Sequence, residues 1–316
     1  MAVTEWPRIV VVGSLNADLV VHVPRFLMPG ETLTGDRFDV FPGGKGGNQA
    51  AAAARLGGRV AMIGQVGGDS QGAWLRDSLA SARADVALVA TDEGVSSGVA
   101  LITIDAAGQN TIVVVPGANG TFSPDRLGPS VARVRSARVV LLQLEIPLGT
   151  VERAAAEARS AGATVLLDPA PACEVPHQLL ALASIVMPNE TELLSLAHAA
   201  PTDAALAEAD VDLLARHVIG RGAAQLLVKL GARGARLVTS TSGLTFPAPR
   251  VEAVDTTAAG DAFGGALAVA LADGAALEDA IRFACAAGAV SVTRPGAQPS
   301  MPTRVEVEAL LGRSLL

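Results

Sequence analysis

The sequence predicts an α/β protein with a doubly wound, mostly parallel sheet flanked by helices, and a small antiparallel β lid. Three observations predict it. Short β-branched runs alternate with alanine-rich helical stretches, the pattern of βαβ units whose strands are covered on both faces. Each apolar run ends in a polar or glycine-containing turn, the sheet edge where open α/β folds bind ligands. Two further segments alternate apolar and polar residues, as strands with one exposed face do.

In chain order, RIVVVGS reads as the first strand, NQAAAAARLG as a helix starting near Asn48, and RVAMIGQVG as the next strand. ARVVLLQLE, ATVLLDPA, SIVMPNE and AQLLVKLG follow as strands, separated by helix-like stretches such as 148–160. The rhythm breaks at ADLVVHV and DRFDVF, which flank the turn MPGET, and at SGVALITIDAAGQNTIVVVPG, a hairpin turning at DAAGQN. These pieces predict a lid from residues 16–42 and 98–115, laid over an α/β domain of residues 1–15, 43–97 and 116–316.

Composition narrows the function. A net charge of -7 with 3% aromatic residues disfavours nucleic acid, which needs clustered cations and stacking rings. Two cysteines, Cys173 and Cys285, make neither a zinc quartet nor a disulfide framework, and four histidines show no metal-ligand spacing. The start, MAVTEWPRIVVVGS, lacks a signal-peptide core and no run is long enough to span a membrane, so a cytoplasmic enzyme is expected. Only two lysines occur, Lys45 and Lys229, and both lie in or beside glycine-rich turns, where an ammonium near exposed N–H groups suits an anion or a polar ligand.

The candidate residues gather at the turns. PGGKGGN places Gly44, Gly46 and Gly47 around Lys45 before a helix, a cradle for a ligand or, equally on local geometry, a plain loop-to-helix junction. Asn16 and Asp18 follow the first strand, and Glu145 ends a wholly apolar one, where a carboxylate needs a hydroxyl or cation partner. Asn189 and Glu192 share a face three residues apart and also form a capping-box pattern. In DTTAAGDAFGGALAVALADG, the small residues Ala258, Ala259 and Gly260 would leave helix N-terminal N–H groups open as an anion hole. Asp261 in that first turn could take a hydroxyl proton or merely complement the helix dipole. GK is not followed by Ser or Thr, so no P-loop is present, and no dinucleotide glycine pattern follows a strand.

GSLNADL, PGETLTG, GGKGGNQAAAAARLG, GGDSQG, GANG, LLQLEIPL, DPAPA, PNETE, KLGARG, DTTAAGD and VTRPGAQPSMP, in that order from about residue 9 to residue 302, resemble the ribokinase-like family of sugar and nucleoside kinases. The resemblance implies ATP-dependent phosphorylation of the 5-hydroxyl of D-ribose, with Mg²⁺ and K⁺, by a homodimer joined through the lid. Fructose, deoxyribose or a nucleoside are the alternative substrates, and a non-catalytic sugar-binding regulator the alternative role. The resemblance also implies that Asn16, Asp18, Gly44, Lys45, Gly46, Gly47, Asn48 and Glu145 hold the sugar, with Asp261 as base. Asn189, the stretch Lys229, Gly231, Ala232, Arg233, Gly234, and Cys285 would face the nucleotide, Gly260 the transferred phosphoryl group, and Glu192 Mg²⁺ and phosphates. Asp255, Thr257, Ser291, Arg294, Gly296 and Ser300 match the family's potassium site. The chain departs from the common pattern at Lys229, where Thr is usual, and at Cys285, where Asn or His is usual.

Overall fold

The computed structural model describes residues 8–200, 202 and 204–312. The strands in chain order are β1 (Ile9–Val12), β2 (Asn16–His22), β3 (Arg37–Gly43), β4 (Val60–Gly67), β5 (Asp85–Asp92), β6 (Gly98–Ile104) and β7 (Asn110–Val115). They continue with β8 (Val139–Leu142), β9 (Thr164–Leu167), β10 (Ile185–Val186), β11 (Leu226–Lys229), β12 (Ala235–Val238) and β13 (Gly243–Phe246). Nine of them form one sheet in the order β13-β12-β11-β10-β9-β8-β1-β4-β5. All neighbours are parallel except the last two strands at one edge, where β12 pairs antiparallel with β11 and β13.

This order contains a switch point. From β1 the chain first builds outward through β4 and β5, then returns to the other side of β1 with β8 and continues outward to β11. The two directions part at the C-terminal ends of β1 and β8, which opens a crevice there. Both sheet faces are covered, so β1 is wholly buried: Ile9 and Val11 belong to one core, Val10 and Val12 to the other. Such a strand reads as an unbroken apolar run.

Two alanine- and glycine-rich helices, Lys45–Arg55 and Ala259–Asp273, pack closely on one face. A Cβ added to Gly265 would fall 2.7 Å from the Ala52 Cβ, so only a glycine allows this approach. The small residues thereby bring the first turns of both helices together, and those turns carry the polar side chains of the site. The first of these helices begins at Lys45, earlier than the sequence reading placed it, with Gly44 as N-cap, so Gly46 and Gly47 lie inside its first turn.

The remaining four strands form a second sheet, β3-β2-β6-β7. The sequence reading expected it to be antiparallel, but it is mixed: two antiparallel hairpins, β2–β3 and β6–β7, join through a parallel β2–β6 pair. The reason is topological. β2 follows β1 and β6 follows β5, two strands of the same parallel sheet, so both hairpins leave it in one direction. Strand alternation gives the small sheet two characters. Asn16, Asp18 and Val20 are buried on one face, while the opposite face exposes Phe38, Val40, Leu101, Val113 and Val115.

Candidate active site

The glycine-rich turn is held under the sheet edge by one carboxylate. Glu145, just past β8, accepts hydrogen bonds from the Ser14 Oγ (2.5 Å) and the Lys45 N–H (2.9 Å) through the same oxygen. This fixes the start of the Lys45 helix against the end of β1. Lys45 then sits among four acids. Burial works against its ammonium, but Asp261, Asp168, Glu145 and Glu192 outweigh burial and hold its pKa above the ordinary lysine value.

Asp261 lies in the first turn of the Ala259–Asp273 helix and is only 5% exposed. Its Oδ2 accepts from Asn48 Nδ2 (2.9 Å) and its Oδ1 from Gln49 Nε2 (3.1 Å). Burial pushes its carboxyl up to about 6, an effect that Lys45 opposes and Asp168 reinforces. A carboxylate with such a pKa is ionised near neutral pH yet basic enough to accept a proton. The Asn48 Oδ1 is buried with no hydrogen-bond partner among the described residues, so it is available to a ligand donor.

Asn16 and Asp18 enter from β2. Asn119 Nδ2 donates to Asn16 Oδ1 (2.8 Å), and the same side chain clamps the Leu15 backbone through both its carbonyl and its N–H. Asp18 makes no side-chain hydrogen bond among the described residues. Burial raises its pKa to about 7, with Glu145 and Asp261 adding to the effect. A buried carboxylate without donors is costly unless a ligand supplies them.

A cavity of about 620 Å³ opens on the other side of Lys45 and Asp261. Its polar lining includes Asp168, Asn189, Glu192, Lys229 and Thr256, its apolar lining Ala248, Pro249, Val251, Phe263, Cys285 and Val292. Gly231, Ala232, Gly234 and Gly260 also face it. Asn189 and Glu192 form a complete capping box, with the Asn189 N–H donating to Glu192 Oε2 (2.7 Å) and the Glu192 N–H to Asn189 Oδ1 (2.8 Å). The box aims the Glu192 carboxylate at the cavity. Burial raises the Glu192 pKa, and Lys229 opposes that rise.

Several expected residues are placed elsewhere or do less than expected. Arg233 turns away to pair with Glu190 and the Leu206 carbonyl, so only the small residues around it line the cavity. The anion hole is narrower than the run of small residues suggested. Ala258 is the N-cap in a left-handed conformation (φ 57°), and the Ala259 and Asp261 N–H groups donate to the Thr256 and Ala258 carbonyls. Of the small residues, Ala258 and Gly260 keep N–H groups with no backbone acceptor among the described residues. Asp255 accepts from the Thr257 and Gly296 N–H groups, both at 2.8 Å, and so clasps two loops beside this helix start. The Ser291 and Ser300 hydroxyls donate to the nearby carbonyls of Gly288 and Ala297, and Arg294 pairs with Glu306.

The sequence reading did not single out Asp168, Gln49, Gln143, Asn119 or Ser14. Gln143 Nε2 donates to Gln49 Oε1 (2.6 Å), and Gln49 Nε2 donates to both Asp168 and Asp261, so the glutamine pair spaces the two acids. Asp168 follows an apolar strand as Glu145 does, and the same signal could have found it.

A buried carboxylate at a helix start, set between a polyol-sized cluster of amide and acid groups and a long cavity with a charged and an apolar part, defines an enzyme that moves a phosphoryl group onto a small hydroxyl compound. The family profile described as pfkB family carbohydrate kinase matches residues 7–304, and the chain belongs to that family. A ribokinase of Haemophilus influenzae is 40% identical over 298 residues, covering 94% of this chain and 95% of the relative. A deoxyribokinase of Salmonella typhi is 35% identical over 296 residues, covering 93% and 95%. The structure of the Arabidopsis thaliana ribokinase complexed with ribose and ATP superposes with a TM-score of 0.91 at 35% identity, covering 98% of this chain and all of that one.

Proposed function

We propose that the chain transfers the γ-phosphoryl group of ATP to the 5-hydroxyl of D-ribose, giving D-ribose 5-phosphate, as its ribokinase relatives do. The observation that carries this reading is the position of Asp261. It touches Asn48 on the sugar side and lines the long cavity on the other, so a hydroxyl held by Asn16, Asp18 and Asn48 would face a terminal phosphate in the cavity.

In the transfer, the hydroxyl proton passes to Asp261, the hydroxyl oxygen bonds to the γ-phosphorus, and the bond to the departing ADP breaks in line. Gly260 N–H and the Lys45 ammonium face the charge that builds on the phosphoryl oxygens. The apolar lining at Phe263, Cys285 and Val292 takes the adenine. Asp168 and Glu192 suit Mg²⁺, which favours one or two carboxylates together with substrate phosphates. Bound there, the metal would neutralise phosphate charge. The loops clasped by Asp255 suit K⁺, held by backbone oxygens near Thr257, Ser291, Arg294, Gly296 and Ser300.

The small sheet, residues 16–42 and 98–115, acts in this reading as a lid, and its apolar outer face pairs two copies into a homodimer. Placing the protein in the cytoplasm accords with its ATP requirement and with two free cysteines, Cys285 among them buried. A coupled ADP-release assay over D-ribose, 2-deoxyribose, fructose and adenosine tests the substrate: ribose should give the highest kcat/KM, and any of the others exceeding it reassigns the activity.

A further inference from the structure

Lys229 closes β11 with its side chain in the cavity. Its Nζ donates to Asp168 Oδ1 at 2.7 Å and lies 3.8 Å from Glu192 Oε2. Both acids are nearly sealed, Asp168 at 1% and Glu192 at 6% exposure. Asp168 Oδ2 accepts from Gln49, and both Glu192 oxygens accept from Asn189, the Oε2 that faces Lys229 included, so the gap between the acids is shaped by fixed groups. Two buried acids held across a gap demand a cation. Here the chain supplies one of its own. The same ammonium stands over the start of the Asp261 helix, where a Cβ added to Gly260 would be 3.3 Å from it.

We propose that Lys229 is an internal counter-cation that holds the space between Asp168 and Glu192 against free divalent metal and turns to the terminal phosphate of the nucleotide when MgATP enters. The proposal rests on the nucleotide reading of the cavity. Among the described residues no group of three or more His, Cys, Asp or Glu side chains could hold a metal ion unaided, which agrees with a metal that arrives only on its nucleotide. Lysine serves this role better than arginine in one respect, because a compact ammonium on a flexible stem can leave one partner for another.

The test uses nucleotide-free protein titrated with Mn²⁺ and followed by the paramagnetic resonance of the free ion. The wild type should bind no Mn²⁺ in the low-millimolar range. Lys229→Met should bind about one ion per chain at least about tenfold more tightly, and Lys229→Arg should behave as the wild type. The double variant Lys229→Met/Asp168→Asn should bind none, which assigns the ion to the gap beside Asp168, and Lys229→Gln, which should bind Mn²⁺ as Lys229→Met does, carries the test if Lys229→Met folds poorly. A kinetic arm follows the rate at fixed MgATP as free Mg²⁺ rises: flat for the wild type, rising for Lys229→Met with a raised KM for the nucleotide. Equal Mn²⁺ binding by the wild type and Lys229→Met, or no binding by either, overturns the proposal. A wild type that fails to phosphorylate ribose overturns the substrate instead and leaves the Mn²⁺ result standing.

Discussion

Asn48 Nδ2 donates to Asp261 Oδ2 across 2.9 Å, joining the first turns of two helices that lie 213 residues apart in the chain. The bond orients the proposed base while leaving the Asn48 carbonyl oxygen open. A ligand hydroxyl that donates to that oxygen would be brought beside the carboxylate by the same side chain.

Replacing Asp261 by Asn keeps the shape of this junction and removes the proton acceptor. The kcat should fall by about 10²–10⁴, while the dissociation constant for ribose, measured by calorimetry, stays within about threefold. Near-normal turnover in this variant would remove Asp261 from the chemistry.

The pH dependence follows from two raised pKa values. Asp261 must be ionised to accept a proton, so kcat/KM should fall as pH drops through about 6. Stability runs the other way. Asp18, at about 7, and Asp261, at about 6, bind protons more tightly folded than unfolded, from an ordinary value of 3.8. Their favourable contribution is therefore complete below pH 3.8 and is lost as pH rises through 6 to 7. Asp18→Asn should raise the stability of the ligand-free protein at pH 8 by on the order of 2–4 kcal/mol and weaken ribose binding. Thermal melts at pH 5 and 8 read this, and a variant no more stable than wild type at pH 8 counts against it.

Asn119 holds Asn16 Oδ1 and the Leu15 backbone, so its expected part is to position Asn16. Asn119→Ala should raise the KM for ribose about tenfold through the loosened Asn16, change kcat by less than about threefold, and cost about 1–3 kcal/mol of stability. An equal loss in kcat and no change in KM would contradict this assignment.

Potassium should activate. The clasp of Asp255 on the Thr257 and Gly296 N–H groups ties the loop that leads into the Ala259–Asp273 helix to the loop at Gly296. Rates should rise several-fold from sodium-only to potassium buffer, by about 3–30 fold. Identical rates in both would leave the loops a purely structural role.

Six of the nine strands of the large sheet were legible because they are buried on both faces and so appear as apolar runs, and their turns were legible because carboxylates and amides end those runs; β5, β12 and β13 lie toward the sheet's edges, are partly exposed and were not read. What the sequence concealed depends on distance. Gln49 and Gln143 sit 94 residues apart and show no pattern, yet they space Asp168 from Asp261. The parallel joint between β2 and β6 was hidden because local alternation shows that a strand has an exposed face without showing which neighbour it will choose. Lys229 was read as part of a loop facing the nucleotide, and only the folded chain reveals the two acids that hold it.

Strand β2 carries Asn16 and Asp18 on one surface and, in register with Phe38, Val40, Leu101 and Val113, an oily one on its back. A rigid ribbon cannot shift for one side alone. If the oily side is where two copies meet, sugar affinity and self-association become thermodynamically linked, and dilution that separates the copies should loosen the grip on ribose even though no residue of the second copy need touch it.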